Sequence, residues 1–121
     1  MSESVKRYVL LEIGGKTYEL NPNFKNCSMI EQELAYSLQD YFTRISNGLS
    51  PTLIYKRLIL KTAIQEQIDI TELENWIIEN PLLSTEKVIE FFVEALRLPR
   101  LEDIVDELEE ADEKKNLISG N

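Results

Sequence analysis

The residue types that most often carry out chemistry in proteins are scarce in this sequence. It contains no histidine, which is the commonest general base and the commonest metal ligand. The single cysteine, Cys27, has no neighbouring histidine or cluster of cations to lower its pKa, so we expect an inert thiol. Most hydrolase and metalloenzyme mechanisms are therefore disfavoured. The sequence predicts a protein that is not an enzyme and that needs no cofactor or metal.

Two short patterns resemble ligand sites. Gly15-Lys16-Thr17 resembles the end of a phosphate-binding loop, but position 10, where that loop needs a glycine, is leucine. A hairpin turn is the better interpretation. The carboxylates between Glu102 and Glu113 lack the central glycine of a calcium-binding loop and follow a helical period. They indicate a solvated helix face, with a partner-binding or DNA-mimicking acidic surface as the alternative.

Large aromatic side chains could line a ligand pocket. Trp76 and the pair Phe91-Phe92 are the candidates. Aromatic residues at helical spacing are more often core residues, so we expect all three to pack in the interior.

The composition limits the kinds of partner. The 121 residues suit one domain, and 22 acidic against 13 basic residues give a net charge of -9, which disfavours nucleic acid. Residues 101–121 alone hold eight acidic and two basic side chains. No apolar run approaches the roughly 18 residues of a membrane span, so we expect no membrane partner. The lone cysteine and the absence of a signal-peptide pattern predict a reducing cytoplasm.

The first predicted secondary-structure element is a β-hairpin over about residues 7–20. Two runs of strand-forming residues flank Gly14-Gly15, a pair suited to a two-residue turn. Such a turn pairs Ile13 with Lys16, Leu11 with Tyr18 and Val9 with Leu20. Most apolar side chains then share one face, which must dock on helices or on another chain.

Helical spacing follows from about Phe24 and predicts either one long helix or two short ones, with apolar positions at Ile30, Leu34, Leu38, Phe42 and Ile45. Asn47-Gly48 predicts a helix end. Ser50 then predicts an N-cap and Pro51 the first position of a helix that runs to about Gln67. In that helix we expect Leu53 and Ile54 to point inward.

Two further helices and an acidic extension complete the predicted chain. Thr71-Glu72-Leu73-Glu74 predicts a capping box at the start of a short helix that ends near Asn80. Ser84 predicts the cap of another helix, rich in apolar residues and central to the core, which Pro99 ends. Within the acidic region that follows, an apolar seam has members at i, i+3, i+4 and i+7: Leu101, Ile104, Val105 and Leu108.

The predicted fold class is α+β, mainly α, with an N-terminal two-stranded hairpin packed on about five helices. We expect one globular domain over residues 1–99, with the helices at about 24–98, and an acidic helical extension with a disordered end over residues 100–121. Apolar side chains that a small core does not need are candidate contacts for a partner protein. These are Tyr8 and Leu10 on the outer hairpin face and the seam residues Leu101, Ile104, Val105 and Leu108.

The order of these features resembles the tail assembly chaperones of gene transfer agents and related tailed phages, some of which are described as tail tube proteins. The resemblance covers roughly residues 7–98. It is carried by the residues 14–20 (GGKTYEL), the break Pro22-x-Phe24, the residues 29–34 (MIEQEL) and the helix end at Asn47-Gly48. The Ile-rich, Ala-poor helices and the acidic extension after Pro99 depart from familiar members.

The resemblance implies a protein that coats the long, helical tape measure protein, keeps it in solution and helps tail tube subunits polymerise around it. Its partners, in the cytoplasm of a bacterial host cell, would be the tape measure protein and tube subunits, and a homo-oligomer is possible. Two alternatives stay open. One is a structural component of the tail, and the other is an acidic regulatory protein that inhibits by mimicking DNA.

Overall fold

The computed structural model describes residues 9–97, which fold as a β-hairpin followed by five helices. This order confirms the predicted α+β, mainly α class. No helix within these residues is both long and apolar enough to cross a membrane. The elements are β1 (Val9–Ile13), β2 (Lys16–Leu20), α1 (Phe24–Leu34), α2 (Leu38–Ser46), α3 (Leu53–Ala63), α4 (Ile70–Glu79) and α5 (Pro81–Ala95).

The hairpin has the predicted register, with Val9 opposite Leu20 and Ile13 opposite Lys16. Gly14 and Gly15 have φ angles of 59° and 77°, which a two-residue turn of this twist requires. One face of the hairpin is buried, and its members are Val9, Leu11, Ile13, Tyr18 and Leu20. The predicted docking of this face on helices is therefore confirmed.

The segment after α3 supports the outer edge of β2. The backbone N–H of Asn21 donates to the carbonyl of Ala63 at 2.8 Å, and Leu20 forms an isolated bridge with Ile64. These contacts explain why α3 ends at Ala63 and does not continue to the predicted Gln67, because the chain leaves the helix there to pair with the strand.

The core lies where α3 and α5 pack together and against the neighbouring helices and the hairpin. Ile59, Leu60 and Ala63 of α3 are completely buried. In α5, Val88, Phe91 and Phe92 are completely buried as well, so the prediction that this helix is central to the core is confirmed.

The region after the hairpin contains two short helices, one of the two predicted arrangements. Ala35 ends α1 in the left-handed conformation, with a φ angle of 59°, and so separates it from α2. The carboxylate of Glu31 accepts a hydrogen bond from the backbone N–H of Leu38 at 2.8 Å, which ties the end of α1 to the start of α2. Asn47 caps α2 at the predicted helix end.

Three predicted helix starts are wrong. Thr52, and not Ser50, caps α3, with its hydroxyl 3.1 Å from the backbone N of Tyr55. The carboxylate of Asp69, and not the hydroxyl of Thr71, caps α4, because it accepts from two backbone N–H groups of the first turn. An ionised acceptor is stabilised there by the helix dipole.

The third wrong start concerns α5, which begins at Pro81 and not after Ser84. Proline is well suited to the first turn, because its fixed φ is helical and its missing N–H would have no helical partner. Ser84 consequently lies inside the helix, where it is completely buried.

Candidate functional site

Leu53 and Ile54, predicted to point inward, are 55% and 64% exposed. The reason is the way α3 packs. Ile54 lies off the buried stripe of this helix, and Leu53 lies at the open end of that stripe. The stripe consists of Lys56, Ile59, Leu60 and Ala63.

These two side chains line a groove between the first turns of α3 and the last turns of α4. Its volume is about 260 Å³. Ile78 contributes from α4 and is 63% exposed, so three large apolar side chains face solvent in one place. We call this feature the α3/α4 groove, and its lining is Leu53, Ile54, Arg57, Glu74, Asn75, Ile77 and Ile78.

An ion pair joins the two walls of the groove. The guanidinium of Arg57 on α3 donates to the carboxylate of Glu74 on α4. Both side chains are about two-fifths exposed, so water screens the pair, and pairs of this kind contribute roughly 0.2–1 kcal/mol. The pair therefore links the two walls but contributes little to the stability of the fold.

The two walls carry opposite charges. Within α3 the charged residues are Lys56, Arg57 and Lys61, with no carboxylate. Within α4 they are Glu72, Glu74 and Glu79, with no lysine or arginine. Of these six residues, only Arg57 and Glu74 line the groove, where they pair with each other.

Lys56 connects α3, one wall of the groove, to α5. It is only 5% exposed, and its Nζ donates to the carbonyl of Pro81 at 2.9 Å and to the hydroxyl of Ser84 at 3.0 Å. Burial lowers the pKa of this amine from its ordinary value. The contact holds α3 against the first turn of α5, which follows α4 directly.

The aromatic residues predicted to be core residues are in the core: Phe91 and Phe92 are completely buried and Trp76 is 9% exposed. Beside them, Tyr41 packs against Phe92 and Tyr55, with ring centres 5.7 Å apart in both pairs. Its hydroxyl is buried and has no hydrogen-bond partner among residues 9–97. Burial, with smaller contributions from Tyr55 and Tyr36, raises its pKa.

The residues considered for chemistry have ordinary structural surroundings. Cys27 is half-buried, and burial together with the nearby Glu31 raises the pKa of its thiol, so the unreactive protonated form is favoured. Gly15-Lys16-Thr17 belongs to the hairpin, as predicted. Within the described part of the chain, no three histidine, cysteine or carboxylate residues are grouped as metal ligands would be.

Of the six predicted contact residues, the structure describes one. Leu10 is 51% exposed on the outer hairpin face, opposite Glu19, and is not part of the α3/α4 groove. Tyr8 and the seam Leu101, Ile104, Val105 and Leu108 lie outside the described residues, as does the predicted extension over residues 100–121.

Sequence reasoning missed the groove because it assigned Leu53 and Ile54 to the core. One signal was present: Ile59, Leu60 and Ala63 define an apolar helical stripe from which Ile54 is offset. Comparisons of this chain with protein-family models, with curated proteins and with solved structures found no match.

Proposed function

We propose that this protein is a tail assembly chaperone of a phage-like particle, which binds a helical segment of the tape measure protein in the α3/α4 groove and assists assembly of the tail tube. The observation that carries the proposal is the cluster of exposed apolar side chains at Leu53, Ile54 and Ile78 between two helices. The resemblance of residues 7–98 to the chaperone family points to the same kind of partner.

The shape of the groove favours a helix as its ligand. Two adjacent helices with apolar side chains between them form a surface on which a third helix can pack, as in other helix-in-groove complexes. Full burial of one leucine or isoleucine side chain contributes about 1.5–3 kcal/mol. Three partly exposed residues can therefore supply several kcal/mol of binding free energy, enough for a reversible complex.

The proposal also agrees with the chemistry of the described residues. A chaperone that coats another protein needs apolar contacts and a charged exterior, but no reacting groups. Cys27 is held in its protonated form, and Lys56 is enclosed between α3 and α5. The groove brings three exposed apolar side chains together between two helices: Leu53, Ile54 and Ile78.

The direct test is to search the genes beside this one for a tape measure gene and to co-express the two proteins. We expect the two proteins to co-purify and this protein to be absent from finished particles. The variant Leu53→Ser with Ile54→Ser and Ile78→Ser should lose at least about tenfold in affinity, because it removes the apolar contacts. Isothermal titration with a purified tape measure fragment measures the change.

Phe24→Ser is the matched control, since Phe24 is 87% exposed at the start of α1 and lies outside the groove. It removes an apolar surface side chain without touching the groove and should bind as the unmodified protein does. The proposal is wrong if the neighbouring genes encode no tail proteins or if the groove variant binds with unchanged affinity. Recovery of the protein from purified particles would instead identify a structural tail component.

A further inference from the structure

The two edges of the hairpin differ in how much of their backbone is paired. On the outer edge of β2, the backbone N–H of Gln65 donates to the carbonyl of Glu19 at 3.4 Å. The backbone N–H of Glu19 donates to the carboxylate of Glu66, also at 3.4 Å. Together with the bridge between Leu20 and Ile64, these contacts occupy the part of this edge next to α3. They prevent a long strand from pairing with β2.

The outer edge of β1 is unpaired. In the hairpin, Leu10 lies opposite Glu19 and Glu12 lies opposite Thr17. Because the backbone groups of Glu19 point away from β1, these pairs form no hydrogen bonds across the hairpin, and the N–H and carbonyl groups of Leu10 and Glu12 point to the outer edge of β1. None of these four groups has a hydrogen-bond partner within residues 9–97. The edge is therefore open to another strand.

This edge also lacks the usual features that keep strands apart. Natural edge strands are commonly protected by proline, by lysine, by a bulge or by a covering segment. The sequence of β1, VLLEI, has no proline or lysine, and its pairing with β2 continues without a bulge. Leu10 is 51% exposed, and Glu12 is exposed as well. The local chemistry of β1 thus favours strand addition.

We infer that a second copy of this chain pairs with the outer edge of β1, so that two hairpins form one antiparallel sheet around a two-fold axis at Leu11. Leu10 of each copy then lies opposite the partner's Glu12, and each of these pairs exchanges two backbone hydrogen bonds. On the apolar face, Leu11 lies opposite the partner's Leu11, and Val9 lies opposite the partner's Ile13. The buried faces of the two hairpins become continuous.

The occupant is a second copy because β1 is complementary to itself in this register. Every outward-facing backbone group of Leu10 and Glu12 finds a partner. Moving the axis by one residue would instead place Glu12 opposite the partner's Glu12, and like charges directly opposite each other are destabilising. Since the connection between α3 and α4 covers the other edge of each hairpin, addition stops at two copies.

The strength of the dimer follows from its size. One pair of strands forms a smaller contact than the interfaces of permanent dimers, so we expect a reversible dimer whose population depends on protein concentration. The edge contains no residue of the α3/α4 groove. Dimerisation is therefore independent of the proposed binding of the tape measure protein.

The first experiment is analytical ultracentrifugation of the full chain over a range of concentrations. Leu10→Pro should weaken dimerisation by at least about tenfold, because it removes an outward-facing N–H and leaves the hydrogen bonds of the hairpin in place. Thr17→Pro is the matched control, since it makes the same change at an outward-facing, exposed residue of β2 and should leave dimerisation unchanged. Circular dichroism checks that both variants fold. A chain that stays monomeric at every concentration, or equal weakening by two folded variants, would overturn the inference.

The second experiment tests the register and does not depend on a proline variant. In a Cys27→Ser background, Leu10→Cys is mixed with Glu12→Cys and oxidised mildly. Residues in a hydrogen-bonded antiparallel pair have Cα atoms about 5.5 Å apart, within the range of a disulfide, so the mixture should yield cross-linked dimers. Leu10→Cys alone should yield few, because the two Cα atoms are then about 8 Å apart. No cross-links in the mixture, or as many with Leu10→Cys alone, would overturn this pairing.

Discussion

The hairpin face and the α3/α4 groove are built from the same kinds of apolar side chain, but those of the hairpin face are buried and those of the groove are exposed. Val9, Leu11 and Leu20 are at most 2% exposed, whereas Leu53, Ile54 and Ile78 are 55–64% exposed. The hairpin lies across the helices and closes their apolar surface. No described element lies across the groove, whose walls are joined by the Arg57–Glu74 pair.

This difference teaches that apolar character alone does not assign a side chain to the core. Burial depends on whether a second layer is present to cover the residue. Changes at the hairpin face should therefore affect stability, and changes at the groove should affect binding. The predictions that follow test this separation, from the largest expected effect on the free energy of unfolding to the smallest.

Leu11→Ala should lower the free energy of unfolding by about 3 kcal/mol, because it removes a buried side chain and leaves a cavity between the hairpin and the helices. Urea denaturation followed by circular dichroism measures the change. A loss below about 1 kcal/mol would mean that the hairpin packs only loosely on the helices. The hairpin face would then contribute no more to stability than the groove does.

Gly15→Ala should lower the free energy of unfolding by about 1–2 kcal/mol, because Gly15 has a φ angle of 77° that a Cβ disfavours. No atom lies within 4 Å of the position that this Cβ would occupy, so the effect comes from the backbone alone. Gly14→Asn is the control, since Asn-Gly suits the same turn and should preserve stability. Thermal unfolding compares the two, and equal losses would contradict the explanation.

Lys56→Met should raise the free energy of unfolding at neutral pH by about 1 kcal/mol, because it removes a charge that is costly to bury. Pro81 keeps hydrogen bonds to its carbonyl from the hydroxyls of Ser84 and Thr85. Since burial lowers the folded pKa of Lys56, the unfolded chain binds more protons between that pKa and the ordinary value of 10.5. The unmodified protein therefore gains stability as pH rises through this window.

The advantage of Lys56→Met should accordingly shrink as the pH rises toward the ordinary pKa of the amine, and urea titrations of both proteins across a series of pH values measure it. Comparing the difference between the two proteins removes the contribution of Tyr41, which both retain. A gap that widens with pH, or a variant that is less stable at neutral pH, would show that the hydrogen bonds of Lys56 outweigh its burial.

Ile54→Ser with Ile78→Ser should change the free energy of unfolding by no more than about 0.5 kcal/mol, because both side chains are already about two-thirds exposed. Equilibrium denaturation in urea measures this effect. A loss above about 2 kcal/mol would show that Ile54 and Ile78 belong to the core. The contrast between a buried hairpin face and an exposed groove would then fail.

Local rules were sufficient to predict the hairpin and the order of the helices. The Gly14-Gly15 turn specifies its own register, because a two-residue connection leaves one way to pair the flanking residues. Helical spacing similarly indicated that Val88, Phe91 and Phe92 lie in the core. Caps were harder to predict, since Ser50, Thr52, Asp69 and Thr71 are all acceptable cap residues and neighbouring contacts select among them.

The sequence by itself therefore determined the fold class, the hairpin with its register and the lack of histidine chemistry, because these depend on residue types and on spacing along the chain. Only the tertiary structure decided that Leu53 and Ile54 face solvent, that Lys56 is buried against Pro81 and Ser84, and that the α3/α4 groove exists. The physical reason is that exposure is a property of what packs against a helix, and the periodicity of one helix does not specify its neighbours.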